Sequence, residues 1–136
     1  MGIFDDAVKD GRHSQEQKAA NAAANAAALR NALAMQTAWM NELAPPFADA
    51  AKKLPLSGAL RIQYFSAPWW IVNIDVEGHI EQSILTGQKF AISRTGEWRY
   101  WHDMYRWQRQ ISPDRFNPKL TREDFERSLR MRLQNG

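Results

Sequence analysis

The chain has 136 residues, 24% of them charged, a formal net charge of +3 and no cysteine. That length suits one domain with an appendage, and the missing thiols exclude a disulfide scaffold, a thiolate metal site and a cysteine nucleophile. Charge is unevenly placed: residues 1–53 hold six basic and six acidic side chains, whereas residues 94–136 hold ten basic and six acidic, a local net of +4.

The chain opens with a short amphipathic stretch in which Ile3, Phe4, Ala7 and Val8 share one side and Gly11 is placed to end a helix. Docking of that side onto the rest of the fold is the expectation, because three acids and one lysine make a poor membrane anchor. A long helix is predicted over Ser14 to Ala44. Ser14 with Gln17 reads as a capping box, eight of the ten residues from Ala19 to Ala28 are alanine, and Pro45 with Pro46 should stop the helix. Thirty-one residues would span roughly 46 Å, more than the compact domain needs.

Ala19, Ala22, Ala26, Leu29, Leu33, Gln36, Met40 and Leu43 follow one another by three and four residues. That is a heptad seam, small early and large late, interrupted by one polar residue, Gln36. Between Lys18 and Glu42 the only charge is Arg30. An exposed helix normally carries Lys and Glu pairs, so the expectation is a coiled-coil-like homo-oligomer with Ala22, Ala26, Leu29, Leu33 and Met40 at or near the contact. Asn21, Asn25, Arg30, Asn31 and Asn41 are too many polar groups for a membrane span. With no signal peptide or long apolar run, the expected location is cytoplasmic.

Pro46 to Lys53 reads as a brief second helix, closing a helical oligomerisation or packing region over residues 1–53. Residues 54–136 read as an α+β domain. Leu60 to Phe65, Trp69 to Val76, Ile80 to Leu85, Lys89 to Ser93 and Glu97 to His102 are rich in aromatic and branched residues, with Gly78, Gly87 and Gly96 recurring between them. This predicts an antiparallel β-meander of four to five strands.

Three-residue loops at 77–79, 86–88 and 94–96 bring the apolar residues onto one face: Val72, Ile74, Val76, Ile80, Ile84, Phe90, Ile92, Trp98 and Tyr100. Only the last of these loops places Gly where such a hairpin usually wants it. The other face would then carry three rows: Ile71, Leu85, Lys89 and Trp101; Asn73, Ser83, Ala91 and Arg99; Asp75, Glu81, Ser93 and Glu97. Asp75 opposite Glu81, with Glu97 in the same row, forms an acidic patch that calls for a nearby cation.

Residues 103–111 suit a helical turn through Met104, Trp107, Gln108 and Ile111, although Tyr105 and Trp107 also fit a strand; the helix is the expectation. Ser112 to Pro118 reads as a loop. In the C-terminal helix Thr121 caps, Asp124 takes the capping-box position, Leu120 with Phe125 forms a hydrophobic staple, and Phe125, Leu129 and Leu133 make the buried stripe. Glu123 with Arg127 and Glu126 with Arg130 are spaced as ion pairs on its outside.

No catalytic, metal or phosphate motif rises above background. His13, His79 and His102 lack a second ligand at metal-binding spacing, so no metal or cofactor is expected. Arg94, Arg99, Arg106, Arg109 and Arg115 interleave with Trp98, Tyr100, Trp101, Tyr105 and Trp107. Arg with Trp and Tyr serves both nucleic-acid binding and protein hot spots, and the modest net charge favours the protein. The sequence therefore predicts a non-enzymatic, homo-oligomeric binding or adaptor protein. Arg94, Arg99, Trp101, Tyr105, Arg106, Trp107 and Arg109 would meet its partner. The rival from another class binds single-stranded nucleic acid, and a hydrolase using the opposed carboxylates Asp75 and Glu81 is a distant third.

Overall fold

The computed structural model describes residues 2–54, 56, 59–60, 69–76, 88–102 and 106–134. In chain order these form α1 (Asp5–Ala51), β1 (Ala59–Leu60), β2 (Trp69–Ile74), β3 (Gln88–Ile92), β4 (Trp98–His102), β5 (Arg106–Gln108) and α2 (Arg122–Gln134). The strands make one antiparallel sheet in the order β1-β2-β3-β4-β5. A long N-terminal helix, an antiparallel sheet and a C-terminal helix are the α+β architecture expected. Two compact units are present, Met1–Asn31 and Ala32–Gly136.

Helix α1 is longer than its local signals predict. It begins at Asp5, where the Asp5 carboxylate accepts from the Gly2 amide at 3.1 Å, and it runs through Gly11, the expected cap at Ser14 and both prolines. Gly11 and Ser14 fail as punctuation because each further residue of a formed helix adds a hydrogen bond, whereas a cap only replaces one. The separate helix over Pro46 to Lys53 is absorbed into the same element. Pro45 and Pro46 cannot donate to the carbonyls of Asn41 and Glu42, but both of those residues are exposed, so water can satisfy the freed groups. On the opposite side Met40, Ala44, Phe47, Ala48 and Ala51 are buried in the core. Burial of Phe47 and Met40 stabilises by roughly 3 to 6 kcal/mol, and Ala44, Ala48 and Ala51 add to it, which is comparable with the roughly 3 kcal/mol cost of each interior proline.

The core of Ala32–Gly136 lies between one face of the sheet and the two helices. Trp70, Val72 and Ile74 of β2, Phe90 and Ile92 of β3, and Trp98 and Tyr100 of β4 meet the α1 residues above and Phe125 and Leu129 of α2. Phe90 sits at its centre, fully buried, with Trp98, Tyr100 and Phe125 at ring-centroid distances of 5.7, 5.5 and 5.9 Å. Burial pushes the Tyr100 phenol above its usual range, and its hydroxyl donates to the Arg115 carbonyl at 3.1 Å.

Gln36, the polar interruption in the helical seam, is fully buried inside this unit. Its amide nitrogen donates to the Asn117 carbonyl at 2.6 Å and its oxygen accepts from Gln88 at 2.8 Å, while the Gln88 oxygen accepts from the Asn117 amide at 2.6 Å. The three residues close a ring in which each bond fixes the next, tying α1 to β3 and to the loop before α2.

The hairpin between β3 and β4 follows expectation. Ser93 donates to the Glu97 carbonyl at 2.8 Å, Gly96 donates back to Ser93 at 3.1 Å, and Gly96 holds φ at 86°. A side chain there would be strained in its backbone and would set its Cβ 2.7 Å from the Cα of Pro45.

The order of strands corrects the sequence reading. β2 pairs directly with β3, Val72 opposite Phe90 and Trp70 opposite Ile92, whereas the expected meander put a strand of its own between these two. Gln88, assigned to a loop, begins β3, and the rest of the segment from Ile80 to Gly87 falls outside the described residues. The outer rows shift by two: Ile71, Ala91 and Arg99 form one and Asn73, Lys89 and Trp101 the next. A shift of two leaves every side chain on its face, so Val72, Ile74, Phe90, Ile92, Trp98 and Tyr100 lie in the core as expected although the rows differ; Ile80 and Ile84 fall outside the described residues. Asp75 does not share a row with Ser93 and Glu97, since it lies beyond the Ile74–Gln88 pair while they lie at the other end of their strands, and its expected partner Glu81 falls outside the described residues.

The second correction is β5. Residues 106–108 are a strand paired to β4, with Trp107 opposite Trp101, rather than part of a helical turn. A tryptophan pair across the strands, 5.0 Å between centroids, gives this short edge a contact that a solvated turn would lack.

Helix α2 is capped as predicted. Thr121 donates through its amide to the Asp124 carboxylate at 2.9 Å, and the Asp124 amide donates to the Thr121 hydroxyl at 3.2 Å. Burial pushes the Asp124 carboxyl up. The Thr121 amide, the Arg127 guanidinium and the Thr121 hydroxyl outweigh it and hold the group below its usual range. Ion pairs described on this helix join Arg122 to Glu126 at 3.0 Å and Arg127 to Asp124 at 2.7 Å.

Candidate binding face of the sheet

Strand alternation puts Trp70, Val72, Phe90, Ile92, Trp98 and Tyr100 on the helix-covered face, so Trp69, Ile71, Asn73, Lys89, Ala91, Arg99, Trp101 and Trp107 share the other. Two cations lie against tryptophan rings there. The Arg99 guanidinium carbon is 5.1 Å from the centroid of Trp69 and the Lys89 ammonium is 5.9 Å from that of Trp101. At the surface each such contact is worth about 0.5 to 1 kcal/mol. Ala91 between them is fully buried, and Trp101 and Trp107 are half-buried.

The expected partner-binding residues divide accordingly. Arg99, Trp101 and Trp107 converge on this face. Arg94 is exposed in the β3–β4 turn, and Arg109 is exposed just after β5. Tyr105 and the side chain of Arg106 fall outside the described residues. Trp69 belongs to the face and is absent from the sequence reading of it, while Lys89 is on the face as expected but was not counted among the partner-binding residues. The signal for Trp69 was available, since adjacent Trp69 and Trp70 in a strand must point to opposite faces.

At one edge of Ala32–Gly136 a cleft of about 470 Å³ is lined by Thr37 and Asn41 of α1, Gly96, Glu97, Trp98 and Arg99 at the start of β4, and Arg109. The Trp98 indole donates to Asn41 at 2.8 Å. An indole nitrogen can only donate, so the oxygen of the Asn41 amide must face it.

Of the acidic patch, Glu81 is outside the described residues, and Glu97 lies 3.9 Å from Arg99. Asp75 is held through its main chain by α2: its amide donates to the Ser128 hydroxyl at 3.1 Å and its carbonyl accepts from Arg127 at 3.0 Å. Among the described residues no group of three His, Asp or Glu side chains could hold a metal ion, and no helix is long and apolar enough to cross a membrane.

The residues expected at an oligomer contact also separate. Ala22 is exposed, Ala26 half-buried and Leu29 44% exposed. Leu33 packs partly against the core of its own unit and Met40 is fully buried within it. Of these five residues the accessible ones are therefore Ala22, Ala26 and Leu29. The N-terminal apolar residues expected to dock onto the fold are instead exposed, Ile3 at 90%, Phe4 at 71% and Val8 at 51%.

No protein-family model, curated protein or solved structure matches this chain. The chemistry of its surfaces rests on the residues themselves.

Proposed function

We propose that this protein is a non-enzymatic binding or adaptor protein that self-associates through the alanine-rich part of α1 and presents the outer face of its sheet to a partner protein. The observation carrying the second half is the covering of tryptophan rings by cations. Arg99 lies over Trp69, which is only 7% exposed, and Lys89 lies by Trp101. A single-stranded nucleic acid needs open ring faces on which bases can stack, so it would have to displace these cations. A protein surface can use the half-buried Trp101 and Trp107 as anchors with Arg99 and Lys89 left in place at their margins. Self-association draws on residues 2–25, all exposed, together with the scarcity of charge from Lys18 to Glu42.

The test is a pair of measurements on the intact protein. Titration with oligodeoxythymidylate should give no salt-sensitive quenching of tryptophan fluorescence at physiological ionic strength; tight, salt-sensitive binding would favour the nucleic-acid reading. A protein captured from the host by the native chain should be lost with Trp101→Ala and Trp107→Ala combined. Its full retention would remove the sheet face from the account.

A further inference from the structure

We propose that the cleft lined by Thr37, Asn41, Trp98, Arg99 and Arg109 receives one carboxylate side chain from an acidic segment of the partner protein. This rests on the reading of the chain as a protein-binding module and adds the chemistry of the partner and the place where it anchors.

Donors in the cleft outnumber acceptors. Arg122, elsewhere in the protein, shows what a satisfied arginine looks like here: it meets both oxygens of Glu42 at 2.7 and 2.8 Å and one of Glu126 at 3.0 Å. The cleft arginines differ. Arg99 spends one donor on the Trp98 carbonyl at 2.9 Å and stands 3.9 Å from Glu97, beyond the ~2.7–2.9 Å of a charge-assisted hydrogen bond. Arg109 is exposed and makes no ion pair among the described residues. With the Asn41 oxygen turned to the Trp98 indole, its amide hydrogens remain as donors, and the Thr37 hydroxyl adds one more. Against these stands a single carboxylate, Glu97.

The charge balance selects the ligand. Two guanidinium groups and one carboxylate leave a local charge of one, which a single Asp or Glu side chain neutralises. A phosphate carrying nearly two charges would be overcompensated and would sit beside Glu97. The planar fork of arginine matches a carboxylate in two-point geometry. Arg99 also links the cleft to the apolar sheet face, because the same side chain lies over Trp69. The fitting segment therefore carries acidic residues with apolar ones beside them.

Trp98 supplies the reporter, since its indole proton is bonded to a cleft residue. The ¹⁵N-labelled intact protein would be titrated with a peptide of alternating glutamate and leucine, with the same peptide carrying glutamine, with inorganic phosphate and with oligodeoxythymidylate. The Trp98 resonance would be assigned through Trp98→Phe. The glutamate peptide should shift the Trp98 indole signal and the glutamine peptide should not. Arg109→Glu should weaken binding at least about tenfold, the loss of one charge-assisted hydrogen bond, while Glu97→Gln should tighten it by removing the competing carboxylate. Retention of the other indole resonances shows that both variants stay folded. Equal shifts from both peptides, or tighter binding of phosphate or oligonucleotide than of the glutamate peptide, would overturn the proposal. An unmoved Trp98 signal, with partner capture still dependent on Trp101 and Trp107, overturns the cleft alone. Loss of that dependence overturns the reading beneath it.

Discussion

Met1–Asn31 and Ala32–Gly136 are stabilised in different ways, although helix α1 contributes to both. In the first, every described residue up to Asn25 is exposed, and the helix relies on alanine propensity and its own backbone bonds. In the second, the same helix departs from good local chemistry, with two prolines and a buried glutamine, and is held by Phe47, Met40 and the ring of Gln36, Gln88 and Asn117. Propensity makes a helix where nothing packs, and packing keeps one where propensity objects. The run from Ala19 to Asn31, with Arg30 its one charge, is the stretch of this helix proposed above to meet a second copy.

Removing packing from the second unit should have the largest effect. Phe125→Ala empties a site ringed by Phe90 and Trp39, at 5.9 and 5.5 Å, and should destabilise Ala32–Gly136 by about 3–5 kcal/mol in denaturant unfolding. A loss under about 1 kcal/mol, the size of a surface change, would mean that the core is not where the comparison puts it. Gln36→Ala comes next, at about 2–3 kcal/mol, because the Gln88 amide and the Asn117 carbonyl each lose a buried partner. Gln36→Leu combined with Gln88→Leu should be less costly than the sum of the single changes. Strict additivity would dissolve the ring into separate contacts.

These sites differ in how far the sequence discloses them. Helix α2 was legible because its determinants are neighbours: Thr121 with Asp124, and Leu120 with Phe125. The β3–β4 hairpin was legible through Gly96, since a single residue meets the demand for positive φ. The ends of α1 were not, because the penalty of Pro45 and Pro46 is local while the burial that offsets it comes from strands far along the chain. β2 was assigned to the wrong neighbour because alternation fixes the face of a strand but not its partner. The cleft gathers Thr37, Asn41, Trp98 and Arg109 from three separate stretches, a convergence that no spacing announces.

A change of about 1 kcal/mol is expected at the cap of α2 from Asp124→Asn, which weakens its bonds to Thr121 and Arg127. Because the folded carboxyl is held below its unfolded value of about 3.9, its contribution is fully present above that value and is lost as pH falls through the lower folded pKa. Stability measured against pH should therefore decline less steeply in acid for Asp124→Asn than for the native chain, and parallel curves would contradict the assignment. The smallest global effect should come from Ala20→Gly with Ala24→Gly. About 1 kcal/mol per site should be lost from helix formation in Met1–Asn31, read as faster amide exchange there, with the unfolding transition of Ala32–Gly136 unmoved. A shift of that transition would show that the units are not independent in stability.

The most direct test of the proposed assembly is the mass of the intact protein by light scattering at micromolar concentration. Self-association through the alanine-rich helix predicts at least twice the 15.7 kDa of one chain, falling to a single chain for Ala26→Glu with the helical circular dichroism of Ala32–Gly136 retained. A native protein of one-chain mass would contradict it.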